Sequence, residues 1–229
     1  MSNKLIIIPS AGSMGFEYAN IIAKLKDISE VYVVKYKGRG QRICEGYSNT
    51  WDELVEDVFM QVKENIDYKN YIILGHSMGS TIAYETYYKI IESNIKQPKA
   101  ICFCGNESPN TMDKKLKSKL NDKEFKDYFI KLGGISKEVL ECDELSQMVF
   151  EILRQDINLL ESYNYKERNH PIKSDVFVIN GKEDNVRVDE KLWNKAVKTS
   201  VNFIKISGGH FFMFKYEDEF LNEIKKIIQ

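Results

Sequence analysis

Six short runs of apolar, mostly β-branched or aromatic residues recur along the chain, at Leu5 to Ile8, Val31 to Tyr36, Tyr71 to Leu74, Ala100 to Cys104, Val176 to Asn180 and Asn202 to Ile206. Runs of this length that are apolar on both faces suit parallel strands covered by helices on either side. The intervals supply those helices. Between Thr50 and Ile66 the residues Trp51, Leu54, Val55, Val58, Val62 and Ile66 fall on one stripe, and Thr50 with Glu53 makes a capping box at its start. Further helices are predicted at Phe16 to Leu25, Met78 to Glu92, Lys191 to Lys198 and Glu217 to Ile228. The alternation predicts an α/β fold with a mostly parallel sheet flanked by helices.

One interval breaks the rhythm. About seventy residues separate Cys104 from Val176, and a structureless loop of that length is rare in a compact domain. Lys114 to Phe129 is amphipathic, Ser146 to Tyr163 is strongly periodic, and Gly133-Gly134 separates them, so two or three inserted helices are expected. The expectation is a single domain, 1–229, with a helical lid at 107–172 that shapes a substrate pocket.

Thirty-three Lys and Arg balance 34 Asp and Glu, without the basic excess that phosphate-backbone binding requires, so nucleic acid is not an expected partner. The apolar run before Pro9 is too short for a signal-peptide core or a membrane span, and no later run is long enough either. Four cysteines, two of them inside the apolar run at Cys102 and Cys104, read as reduced residues and not a disulfide framework. A cytoplasmic protein is expected.

Gly75-His76-Ser77-Met78-Gly79 is a G-x-S-x-G sequence placed between a predicted strand and a predicted helix, the context of a nucleophile elbow. A serine hydroxyl needs a base within reach. Of the three histidines, His76 adjoins the nucleophile and reads as a packing or hydrogen-bonding partner, and His170 precedes Pro171 in a solvated loop. His210, just beyond the last strand in Ser207-Gly208-Gly209-His210, is the candidate base. Asp184, beyond the strand Val176 to Asn180, is the candidate carboxylate to orient it. It is favoured over Glu107 because its loop neighbours that of the histidine, and over Glu183 and Asp189, which read as solvated turn residues. Ser77, Asp184 and His210 follow the nucleophile, acid, base order of α/β-hydrolases. Acyl transfer also needs oxyanion donors: the Met78 amide is one, and Ala11, in the small-residue loop after the first strand, is the candidate for the other.

Residue chemistry alone stops at serine acyl hydrolase. It leaves open a carboxylesterase, an acyl-CoA thioesterase, or a non-catalytic hydrolase-fold protein that holds acyl carriers. Five ordered motifs narrow the field. Ile8-Pro9-Ser10-Ala11-Gly12, Lys37-Gly38-Arg39-Gly40-Gln41-Arg42, the Ser77 elbow, the stretch from Leu132-Gly133-Gly134 through Leu153-Arg154-Gln155-Asp156 to Glu161-Ser162-Tyr163, and Gly208-Gly209-His210-Phe211-Phe212 together resemble a type II thioesterase. That family comprises the stand-alone editing hydrolases of non-ribosomal peptide and polyketide assembly lines. The resemblance implies an α/β-hydrolase fold lacking the first strand or so, a helical lid, no cofactor and no metal. It also implies a monomer that releases acyl groups from the phosphopantetheine arms of carrier proteins with Ser77, Asp184 and His210 as triad and Ala11 and Met78 as oxyanion donors. Lys37, where the family has proline, and Ser13, where it often has a second glycine, are departures.

Overall fold

Leu5, Ile6, Ile7 and Ile8 are all buried because β1 (Asn3–Ile8) has a strand on each edge and helices over each face. A computed structural model describes residues 3–66, 70–111 and 116–229. With β2 (Ser29–Val33), β3 (Tyr71–His76), β4 (Ala100–Cys104), β5 (Asp175–Gly181) and β6 (Val201–Ile206), β1 forms a six-stranded sheet in the order β2-β1-β3-β4-β5-β6. Every pairing is parallel.

Because strand side chains alternate, each strand feeds two cores. Ile6, Ile73, Phe103 and Val178 face α2 (Trp51–Glu64), α3 (Met78–Glu92) and α7 (Glu190–Val197), where Phe103 stacks on Trp193 with centroids 4.9 Å apart. Leu5, Ile7, Leu74 and Cys102 face α1 (Ala19–Leu25), the short α8 (Phe212–Lys215) and α9 (Glu217–Ile228). The chain leaves β1 first toward β2 and then crosses to β3 on the other side. This reversal opens a crevice at the carboxyl ends of β1 and β3, where ligands bind in open α/β sheets.

Between β4 and β5 lie α4 (Asp122–Leu132), α5 (Lys137–Glu141) and the long α6 (Asp143–Ser162). Phe125, Phe129, Phe150, Leu153 and Ile157 give this insertion its own small core, and Ala11, in the loop after β1, packs against it. The insertion therefore sits over the carboxyl edge of the sheet. The expected helix beginning at Lys114 starts only at Asp122, because the Asn121 side chain accepts from the Glu124 amide and fixes the first turn there; residues 112–115 lie outside the described residues. The second strand is also displaced. It spans Ser29–Val33 and not Val31 to Tyr36, since its partner β1 ends before Pro9, and the buried Tyr36 turns inward to donate its hydroxyl to the Pro9 carbonyl (2.7 Å). Among the described residues the cysteines are unbridged, and no helix is long and apolar enough to cross a membrane.

Thr50 caps α2 by accepting from the Glu53 amide (3.1 Å), while the Glu53 carboxylate reaches the Asn49 amide (2.8 Å), one residue before the position of the usual reciprocal bond. Thr50→Ala is expected to lower stability by about 1 kcal/mol, read by urea unfolding, with the fold unchanged.

Candidate active site

Ser77 stands between β3 and α3 with φ 54° and ψ −118°, a conformation that a residue bearing a Cβ rarely takes. Its neighbours impose it. The Ser77 amide donates to the Cys104 carbonyl (2.8 Å), and the Ser80 hydroxyl donates to the Gly75 carbonyl (2.7 Å) while accepting from the Cys104 amide (3.0 Å). The first turn of α3 presses on the end of β1 so closely that a Cβ at Gly79 would overlap the carbonyl oxygens of Ile8 and Pro9. That contact sets Met78, the first residue of α3, beside the 9–13 loop that carries Ala11. The Met78 amide lies among the first N–H groups of a helix, which have no intrahelical acceptor.

The Ser77 Oγ lies 2.9 Å from His210 Nε2, and His210 Nδ1 lies 2.9 Å from Asp184 Oδ2. The two partners come from loops after β6 and β5, which are joined by Lys182 N–H to Ile206 O (2.8 Å) and Glu183 N–H to Gly208 O (3.0 Å). The side chains of His210 and Asp184 are 8% and 2% exposed, so the pair works in a partly desolvated pocket. Burial pushes the Asp184 carboxyl up. The hydrogen bond and charge of His210, with the Val186 amide at 3.2 Å, outweigh it and hold the group below its ordinary value. An ionised Asp184 fixes the proton on Nδ1 and leaves Nε2 free to accept from Ser77. Glu183 is exposed, and Asp189 caps α7 by accepting from the Lys191 and Leu192 amides. His170 lies in an exposed loop, its carbonyl accepting from Tyr88.

His76, fully buried at the end of β3, donates from Nε2 to the His210 carbonyl (3.0 Å) and so ties the elbow to the backbone of the second histidine. Its Nδ1 has no hydrogen-bond partner. Burial, reinforced by the positive charge of His210, pushes its pKa down to about 3. The family departures also find places: Lys37 pairs with Asp57 (3.6 Å), and Ser13 donates its amide to the Ser10 carbonyl (3.3 Å).

Sequence reasoning assigned no role to Arg39 or Asp156. Both are buried, and each oxygen of Asp156 lies 2.5 Å from a terminal nitrogen of Arg39. Burial would lower the Arg39 pKa, but the hydrogen bonds and charge of Asp156 raise it overall. The signal was present in two of the five motifs; what a single chain could not show is that they meet.

The titration of His76 has a measurable consequence. Below pH 6.5 an unfolded chain protonates this imidazole, whereas the folded chain resists until about pH 3. The stability held by the neutral form is therefore whole above pH 6.5 and is lost progressively as pH falls toward 3. Over pH 7 to 5 this amounts to about 2 kcal/mol. In His76→Gln, the difference in unfolding free energy between pH 7 and pH 5 is expected to shrink by that amount, measured by denaturant titration at each pH.

Comparisons with known proteins place the chain in a family. The model of a family described as thioesterase domain matches residues 3–228. Similar proteins include the gramicidin S biosynthesis protein GrsT of Aneurinibacillus migulanus, 28% identical over 93% of this chain and 85% of its own. The medium-chain S-acyl fatty acid synthase thioesterase of Rattus norvegicus is 25% identical over 98% of this chain and 86% of its own. Among solved structures, ClbQ from the colibactin NRPS/PKS pathway superposes with a TM-score of 0.90 at 24% identity, covering 100% of this chain and 97% of its own. With the match running over nearly the whole chain, this protein belongs to the thioesterase domain family, enzymes that hydrolyse thioesters.

Proposed function

We propose that this thioesterase releases acyl and aminoacyl groups from the phosphopantetheine arms of carrier proteins, clearing misprimed non-ribosomal peptide or polyketide synthetases. The observation that carries the chemistry is the continuous hydrogen-bonded line from Ser77 through His210 to Asp184. The carrier is inferred from relatives, among them GrsT and the thioesterase PikA5 of Streptomyces venezuelae.

Ser77 Oγ attacks the thioester carbonyl carbon as its proton passes to His210 Nε2, and the carbonyl oxygen takes up negative charge facing the amides of Met78 and Ala11. The C–S bond then breaks, and His210 returns the proton to the departing pantetheine sulfur. Water attacks the acyl-serine with His210 again taking a proton, and the free acid leaves. Asp184 stabilises the imidazolium in both halves. One copy of the chain supplies all these groups, which supports a working monomer. Residues 107–172 act as a lid, since α6 packs on the 9–13 loop beside the nucleophile.

The fatty acid synthase relatives favour a second reading, in which the carrier-bound group is a medium-length fatty acyl chain. Holo carrier charged with acetyl, aminoacyl or octanoyl groups separates the readings. Editing predicts faster release of the short groups, and the fatty-acyl reading predicts the reverse. Release from acyl-CoA as fast as from the charged carrier would remove the carrier from the proposal. Ser77→Ala is expected to lower turnover by at least about 10³-fold, and Asp184→Asn by on the order of 10³- to 10⁴-fold through the wrong histidine tautomer. Wild-type release by Ser77→Ala would refute the mechanism.

A further inference from the structure

The most heavily desolvated Arg–carboxylate pair among the described residues, Arg39 with Asp156, touches none of the reacting side chains, yet it grips the loop between β1 and α1. Asp156 takes one terminal nitrogen of Arg39 on each oxygen, Nη1 on Oδ2 and Nη2 on Oδ1, and its Oδ2 also accepts the Gly12 amide (2.8 Å). Arg39 Nη1 also donates to the Ser13 carbonyl (3.4 Å), and its guanidinium lies over the ring of Tyr36, 5.2 Å from the centroid. Tyr36 in turn holds the Pro9 carbonyl. A buried ion pair is a poor way to stabilise a fold, because desolvation cancels much of the attraction and an apolar pair of similar volume does as well or better. What an apolar pair lacks is an acceptor for Gly12.

That acceptor bears on Ala11. A trans peptide is planar, so fixing one polar end fixes the direction of the other. The Ser10–Ala11 peptide carries the Ala11 N–H, and its carbonyl is held by the Ser13 amide (3.3 Å). The Ala11–Gly12 peptide is held by Asp156. Both peptide planes that meet at Ala11 are thereby set, the second of them from a side chain on α6. Leu153, one turn earlier on α6, covers the same spot from its apolar side, lying where a Cβ on Gly12 would touch its methyl group.

We infer that Asp156, locked by Arg39, is a positioning residue for thioester hydrolysis: by holding Gly12 it aims the Ala11 N–H at the developing oxyanion. This inference rests on the serine mechanism proposed above. A misaimed donor matters most when charge has built up on the oxygen, so the defect falls on kcat and not on KM. It also makes the oxyanion donor complete only while α6 is in its seat.

The test uses the full chain, a short acyl-pantetheine thioester, and an acyl trifluoromethyl ketone whose serine adduct carries an oxyanion. Arg39→Met with Asp156→Leu removes both charges together and avoids leaving one buried alone. The folded double variant is expected to lose roughly 10- to 100-fold in kcat with KM within about threefold, and to bind the ketone more weakly by the same factor. Should it not fold, Arg39→Lys keeps the charge but loses the two-pronged grip, and several-fold lower kcat at constant KM is expected. The inference is overturned if kcat of the folded variant stays within twofold of wild type, or if the loss appears in KM alone. Turnover independent of Ser77 would instead sink the mechanism beneath it, so the two failures are told apart by the Ser77→Ala control.

Discussion

The seating of α3 against the end of β1 decides where every other group in the site lies. With only a hydrogen at Gly79, the helix start reaches the Ile8 and Pro9 carbonyls, and the chain between β3 and α3 must then turn through the left-handed conformation seen at Ser77. Such a conformation costs of order 1–3 kcal/mol and persists only where surroundings over-determine it. Here the surroundings are the backbone bond from Ser77 to Cys104 and the Ser80 hydroxyl, which bridges β3 and β4. Ser77 is consequently a fixed point of the sheet, and the loops after β1, β5 and β6 are brought to it.

Two histidines near this point show how environment alone separates their roles. His76 and His210 have ring centroids 5.5 Å apart, but His76 is sealed among Phe211, Phe212 and Phe214 and has no carboxylate hydrogen-bonded to its ring. It stays neutral and serves as a strut to the His210 backbone. His210 faces Asp184, so a proton arriving at Nε2 meets an anion across the ring.

Much of this arrangement was legible in the chain itself because its strongest signals are local. Strands apolar on both faces announce a covered parallel sheet, and the glycines flanking Ser77 announce an elbow. Asp184 could be preferred to Glu107 because sheet order follows from crossovers. Boundaries failed where tertiary partners decide them: the run to Tyr36 looks like strand, yet β1 ends at Ile8, and the last bond between the two is from the Val34 amide to the Ile7 carbonyl (2.9 Å). The short helices α5 and α8 are too brief to show a period. The Arg39–Asp156 pair was invisible for a different reason. Its members are 117 residues apart, and isolated charged residues are ordinarily solvent-exposed. Only the packing of α6 on the 9–13 loop turns two apparently superficial charges into one interior contact.

The turn between α4 and α5 rests on the face of Phe211, so closely that any side chain at Gly134 would run into the ring. Phe211 also packs edge-on against both histidines. Raising this turn would wet one phenyl surface immediately beside the imidazoles and replace a dry contact with water. The resting posture of the inserted helices is thus tied to the dryness of a single aromatic plate.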